Sequence, residues 1–310
     1  MKKLILLLPA IFLIFQSVQA QKPDAAVALI YYTFSHIRDT TNRANVYTEN
    51  MELLLGKNAS VYRSTDHRLE SEQLKRLIAE QRNAGATGTV SVKLAHKPHD
   101  INKPYYQFQA EKKLIRQEKQ VNYYLVEEVW PVMNWKITTD TTSFKSLHCQ
   151  KAITVFKGRS YEAWFCPALP FRSGPWKFNG LPGLILEVSD SRKEVVFKFA
   201  GLEDVSKITE SPDLTTETNS NAEQLARNDE NISLKTIALP KYGIKATQAE
   251  LSRLEESTRK DPMAFMKTAM AGSGTSVKSI KVNGSNSSMP ATVTSVKNKI
   301  NNPIELSKKP

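Results

Sequence analysis

A mainly β fold of the α+β kind is predicted for this chain. It is a curved antiparallel sheet or half-barrel with two or more covering helices and a flexible C-terminal segment. Three observations predict it. Short runs rich in β-branched and aromatic residues recur from residue 25 to residue 205, each bounded by turn-forming residues. Only two stretches carry helical spacing, and they lie far apart, which is not the alternation of a βαβ chain. All four tryptophans, Trp130, Trp135, Trp164 and Trp176, fall in the centre, where large rings can hold a thin β core together.

The elements follow in order. Lys2 and Lys3 precede a nearly unbroken apolar run from Leu4 to Phe15, and Val18-Gln19-Ala20 supplies the small residues a signal peptidase reads. A run of roughly a dozen residues is too short to cross ~30 Å of hydrocarbon. Residues 1–20 are therefore expected to be a secretory signal peptide, with the mature chain exported to the periplasm or cell envelope and not membrane-spanning. The mature chain then divides into a β-rich domain over 21–270 and a basic, Ser/Asn-rich C-terminal segment over 271–310, partly mobile.

Within the domain, 25–37 reads as a strand. Residues 50–64 read as strand, tight turn at Gly56-Lys57-Asn58, and strand. A helix follows, capped by Asp66, striped by Leu69, Leu74, Leu77 and Ile78, and stopped at Gly85. Strands resume over 87–95, 105–114 and 122–130. The stretch 149–166 reads as a hairpin turning at Lys157-Gly158, and 184–205 as another turning at Ser189 to Lys193. Residues 209–233 are polar and Thr/Asn-rich, as in a loop. Thr247 and Glu250 match a capping box at the start of the second helix, which can restart at Pro262. In the tail, SVKSIKVN alternates as an edge strand does.

Lys and Arg outnumber Asp and Glu by 43 to 31. Lys2 and Lys3 leave with the signal, so the formal charge falls from +12 to +10. An exported chain rarely meets nucleic acid, and the lysines after Ala271 read as a solvated surface. Two cysteines in such a chain point to a disulfide. If Lys157-Gly158 is the loop, Phe156 faces Arg159, and counting outward sets Cys149 opposite Cys166 at a Cα separation a disulfide accepts. His148 beside Cys149 raises a reactive thiol as the alternative, but strand neighbours point to opposite faces.

Several chemistries lack their residues. There is no Gly-Lys-Ser/Thr phosphate loop, no Gly-x-Gly-x-x-Gly turn, no Gly-x-Ser-x-Gly elbow, no His-Glu-x-x-His and no Cys-x-x-Cys. His96, His99 and Asp100 contain metal-ligand types but read as a turn around Pro98. Met263, Met266 and Met270 read as a packing stripe. No metal or cofactor is expected, and no catalytic residue is assigned. Glu127 and Glu128 are adjacent, so on a strand they face opposite ways and are not an acid/base pair. The central aromatic cluster with its nearby cations, Trp164, Trp176 and Arg159, is the candidate ligand-binding surface. Gly180-Leu181-Pro182-Gly183-Leu184-Ile185 reads as a type II turn, with Pro182 and Gly183 central, feeding a buried strand.

These last residues also carry a resemblance. GPWKFNGLPGLILEV (174–188) is similar to the signature of the GLPGLI family, exported proteins typical of Bacteroidetes. The segment 149–165, the hairpin 51–64 and the ending NPIEL (302–306) resemble the family as well. Cys166 stands where many members carry Thr, so the resemblance does not itself imply the disulfide. It implies a signal peptide, envelope residence, a largely antiparallel β architecture and proximity to outer-membrane uptake systems, but no reaction or catalytic residue. The expected function is a non-catalytic periplasmic or envelope protein binding an apolar or peptide-like ligand in the concavity of its sheet. An envelope hydrolase or peptidase with an unfamiliar site, or a copper- or zinc-handling protein, is the alternative. Oligomeric state and ligand identity are not legible.

Overall fold

The first strand, β1 (Asp24–His36), alternates large apolar residues and lies at the centre of the molecule. After it come β2 (Tyr47–Gly56), β3 (Ala59–Ser64), α1 (Thr65–Asn83), β4 (Tyr105–Phe108), β5 (Lys113–Lys119) and β6 (Tyr123–Glu128). The second half holds β7 (Lys136–Phe144), β8 (Leu147–Phe156), β9 (Arg159–Cys166), β10 (Leu184–Asp190) and β11 (Val195–Asp204). Two short strands, β12 (Thr236–Ile237) and β13 (Ile244–Ala246), precede α2 (Gln248–Lys260). The structure is a computed structural model, and it describes residues 23–85, 103–120, 122–207, 233–240, 243–261 and 300–306.

The strands form one mixed sheet in the order β13-β6-β5-β4-β3-β2-β1-β11-β10-β9-β8-β7, with β12 added on β1. It does not close into a barrel. Pairings are antiparallel except β13 on β6, which is parallel. The expectation of a mainly β fold therefore holds, in a sheet that is mixed rather than wholly antiparallel.

Both faces of the central strands are covered. On one face Ile30, Tyr32, Phe34, Leu53 and Tyr62 pack with Phe197, Tyr161 and the rings of Trp176 and Phe178. On the other, Leu29, Leu54, Val61, Tyr106 and Ile115 pack beneath Val205 and Ile237. Fully burying each such side chain stabilises by about 1.5–3 kcal/mol, so this double core accounts for the uninterrupted apolar run Leu53-Leu54-Leu55 in β2. α2 sets Leu251 against Tyr124 and Val126 at the sheet's edge. Its capping box at Thr247 and Glu250 forms as the sequence requires.

Local differences have local causes. The residues 105–114 are not one strand: β4 and β5 are a hairpin turned through Lys112, at φ 48°. The backbone N–H of His67 is accepted by Ser64, so Ser64 and not Asp66 caps α1, and Leu69 of the expected stripe is 49% exposed. β7 was not legible because its Thr-rich sequence has no apolar alternation; as an edge strand with neither face deeply buried it needs none. The 149–166 hairpin is as read: Lys157 and Gly158 both take positive φ and Phe156 pairs with Arg159. Residues 184–205 likewise form β10 and β11 around the expected turn. The expected signal peptide, the strand over 87–95, the loop over 209–233 apart from Ser233, the restart at Pro262 and the strand SVKSIKVN lie outside the described residues, as do His96, His99 and the Met263, Met266, Met270 stripe.

Residues 300–306 dock on the sheet. Asn302 donates from Nδ2 to the Ile37 carbonyl at 2.7 Å and to Glu194 at 3.0 Å. Its own carbonyl accepts from His36 Nε2 at 2.7 Å. The Leu306 N–H reaches the Lys157 carbonyl at 3.0 Å.

Candidate functional site

The sequence-chosen surface residues do not converge. Trp176 is 4% exposed, stacked on Phe197 and edge-on to Phe156 and Phe178. Trp164 pairs with Lys151 on β8 and so lies on the face opposite Phe156. Arg159 is buried, and its five N–H donors all go to the chain itself. Nη1 donates to Asp190 at 2.9 Å and Glu194 at 3.4 Å, Nε to the Ile304 carbonyl at 3.0 Å, and Nη2 to Asn302 and the Pro303 carbonyl. It is a structural hub that fastens the C-terminal segment. The concavity expected near Trp164 and Trp176 is filled by the 174–183 loop.

That loop does shape an opening elsewhere. Its chain turns at Pro175 to Phe178, with Trp176 at φ 53°. The Trp176 carbonyl accepts from Gln107 Nε2 at 3.0 Å, and the Asn179 carbonyl from Trp135 Nε1 at 2.8 Å. Asn179 Nδ2 reaches the Pro131 carbonyl at 3.3 Å. These bonds fasten the loop to β4 on one side and to the 129–135 segment on the other. Gly183 has φ 158°, near the extended limit and far from the ~80° of a type II turn; Gly180, at φ 93°, takes the left-handed conformation instead. Gly183 is required for another reason: a Cβ there would lie 2.3 Å from the Cys166 carbonyl oxygen.

The opening is a cleft of about 810 Å³. Tyr105, Trp130, Pro131 and Phe156 supply its ring surfaces, and Val129 and Val132 stand at its rim, 93% and 78% exposed. Alternation on the strands directs Tyr105, Arg116, Val126 and Glu128 to one face of β4, β5 and β6, because Tyr105 pairs with Arg116 and Arg116 with Val126. Gln248, at the start of α2, accepts from Arg116 Nη2.

Seven charged side chains form a row of alternating sign, six of them lining this cleft and Glu118 joining two of those. Lys103 and Arg116 share Glu118. Arg116 Nε donates to Glu128 at 2.6 Å. Lys177 joins Glu128 to Glu305, the latter at 2.5 Å, and Lys157 closes the row on the second oxygen of Glu305 at 3.1 Å. Lys177 is itself buried, over the Tyr105 and Trp176 rings at 5.3 and 5.5 Å. Burial opposes ionisation of Glu118 and Glu305, but hydrogen bonds from Lys103 and Lys177 outweigh it and hold both carboxyls below their ordinary range. Burial pushes the Tyr105 phenol well up, with the Glu128 charge adding to it. Glu127 also lines the cleft but alternates to the other side of β6 from Glu128 and pairs with Lys113 at 3.2 Å.

Sequence reasoning missed this site. Its signal was present in KLIRQEK: Leu114, Arg116 and Glu118 share one strand face, and charged residues on a face that begins apolar imply buried partners. The partners themselves, Lys177 and Glu305, come from segments far along the chain.

Cys149 and Cys166 are buried thiols. The register, one step beyond Gln150 opposite Phe165, sets them opposite each other. Burial and the Cys166 neighbour push the Cys149 thiol up to about 12. Among the described residues no group of three or more His, Cys, Asp or Glu is placed to hold a metal ion. No helix among them is long and apolar enough to cross a membrane.

The chain is similar to two solved structures, "Structure of PNGF-II in P21 space group" and "Structure of PNGF-II in C2 space group". Identities are 11% and 12%, each alignment covers 74% of this chain, and the TM-score is 0.44 for both. The matches cover 33% and 32% of those chains, so this chain spans about a third of their length, a likeness too distant to transfer an activity. No curated protein matches the chain. Residues 103–187, which include β4 to β9, the 174–183 loop and most of the cleft, match the family model described as "Protein of unknown function (Porph_ging)".

Proposed function

We propose that this protein is an exported, non-catalytic envelope protein of the GLPGLI type that binds a peptide-like ligand, and that the binding site is the cleft between β4–β6, the 129–135 segment and the docked C-terminal residues. The observation that carries this reading is the pairing of ring surfaces with alternating charge in one opening. An 810 Å³ cleft suits a ligand of a few residues. Tyr105, Trp130 and Phe156 offer faces for apolar side chains. The charge row offers donors and acceptors to a backbone that carries both. Val129 and Val132, exposed at the rim, would be covered by such a ligand.

The non-catalytic half rests on the lining. Among the described residues no Ser, Thr, Cys or His lines the cleft, and Arg116, Glu128, Lys177 and Glu305 are each held by two or more charged or polar partners. A Ser–His or Cys–His pair of nucleophile and base has no counterpart among the described lining residues. The protein would then act beside outer-membrane uptake or other envelope components.

The test is native mass spectrometry of the mature protein incubated with a tripeptide library, wild type against Trp130→Ala. Adducts of intact tripeptides on the wild type, weakened in the variant, are the expected result. No adducts on either protein would overturn the binding reading, and shortened peptides would overturn the non-catalytic one.

A further inference from the structure

In the charge row four cations, Lys103, Arg116, Lys177 and Lys157, are joined by three carboxylates, Glu118, Glu128 and Glu305, while Glu127, a further lining residue, pairs with Lys113 outside the row. Two of those carboxylates belong to the sheet: Glu118 lies on β5 and Glu128 on β6. The third arrives differently. Glu305 is brought by residues 300–306, and its side chain is 37% exposed at the end of the row. It bridges buried Lys177 and Lys157, which is 45% exposed.

The segment that carries Glu305 has independent anchors. Asn302 binds the Ile37 carbonyl and Glu194, Arg159 holds the Ile304 and Pro303 carbonyls, and Leu306 binds the Lys157 carbonyl. The Glu305 side chain can therefore swing away without undocking its backbone.

We infer that the Lys177–Lys157 end of the cleft is a carboxylate subsite, that the ligand it takes is a peptide with a free carboxylate, and that Glu305 holds the carboxylate's place in the unliganded protein. This rests on the cleft being a peptide site. Removing Glu305 from the row leaves Lys177 buried with Glu128 alone, and Glu128 is shared with Arg116. A buried ammonium with half a partner is costly, so the place is refilled by another carboxylate. Water and salt are poor substitutes there because Lys177 is enclosed by the Tyr105 and Trp176 rings.

The subsite is tested by isothermal titration calorimetry of the mature chain at low ionic strength. The probes are one N-acetylated tripeptide, Leu-Phe-Ala, as free acid and as C-terminal amide. The acid is expected to bind the wild type more tightly than the amide. Glu305→Gln keeps the side chain's size and removes the competing charge. It is expected to raise affinity for the acid about tenfold, as when an internal competitor that occupies a site nine-tenths of the time is removed, and to change affinity for the amide far less. Lys157→Met, at an exposed position, is expected to weaken the acid alone. Equal binding of acid and amide, in wild type and Glu305→Gln alike, would overturn the carboxylate subsite while leaving the peptide cleft standing. Binding of neither probe to any variant would overturn both.

Discussion

Gly183 shows how a residue chosen for one reason serves another. The Gly-Leu-Pro-Gly sequence reads as a type II turn, whose third residue needs left-handed φ. In the folded chain Gly183 instead lets the loop cross the backbone of β9 at a distance no Cβ permits. Gly183→Val is expected to cost about 3 kcal/mol or more, because the obstruction is a carbonyl and not a movable side chain. Denaturant unfolding of the variant checks this, and an unchanged midpoint would contradict it. Cys149 and Cys166 carry a second expectation at this scale. In an oxidising compartment the two thiols lose two protons and two electrons to a disulfide-type oxidant and form one S–S bond. Treatment with oxidised glutathione followed by intact mass analysis should show loss of two hydrogens and no alkylation by iodoacetamide. Two alkylated cysteines after oxidation would argue against the pairing.

At the scale of elements, residues 300–306 act as a clasp on β1 and the β8–β9 turn. Arg159 is its buried anchor, and Arg159→Met should destabilise by about 3–5 kcal/mol by leaving Asp190 and Glu194 without their partner. The clasp also has a pH dependence. Burial is the main cause that lowers the His36 pKa from 6.5 to about 4, with its Asn302 hydrogen bond opposing the shift. The unfolded chain takes up this proton near 6.5 and the folded chain only near 4, so between those values the unfolded state binds more protons. His36 therefore contributes stability that is fully present above pH 6.5 and is lost as pH falls toward 4. Glu194, which burial would raise but which Arg43, Asn302 and Arg159 hold low, loses its contribution at lower pH still. Thermal midpoints measured from pH 7 to pH 4 should fall, and His36→Gln should flatten that part of the curve. A parallel fall in the variant would remove His36 from the account.

For the whole molecule, one sheet with two buried faces allows a large core without closure into a barrel. The face that carries Trp176 and Phe178 is plugged beneath β8–β11 and open beneath β4–β6, and the cleft is the boundary between the two. Ligand binding should therefore couple to global stability. A carboxylate peptide at a hundred times its dissociation constant should stabilise by about 2.7 kcal/mol and raise the thermal midpoint by several degrees. An unshifted midpoint at saturation would contradict binding to the native cleft.

Much of the architecture was legible because it depends on local chemistry. Turn residues at Lys157-Gly158 set the register that opposes Cys149 and Cys166, and Thr247 with Glu250 announced α2. Alternation also separated Glu127 from Glu128 correctly. What local pattern could not reveal was which loop fills which face. Trp176 and Arg159 looked like surface candidates because aromatic and cationic residues serve binding and core alike, and burial decides between them. The cleft needed more still: Lys103, Arg116, Glu128, Lys177 and Glu305 span some two hundred residues, and only the folded sheet brings their charges within hydrogen-bonding distance. The sequence by itself determined most of the strands and the hairpin turns at Lys157-Gly158 and Ser189 to Lys193, since these answer to neighbours a few residues away, whereas the edge strand β7, the split of 105–114 and the need for Gly183 answer to contacts distant in the chain. The tertiary structure alone decided the site, because charge pairing is a matter of distance in space.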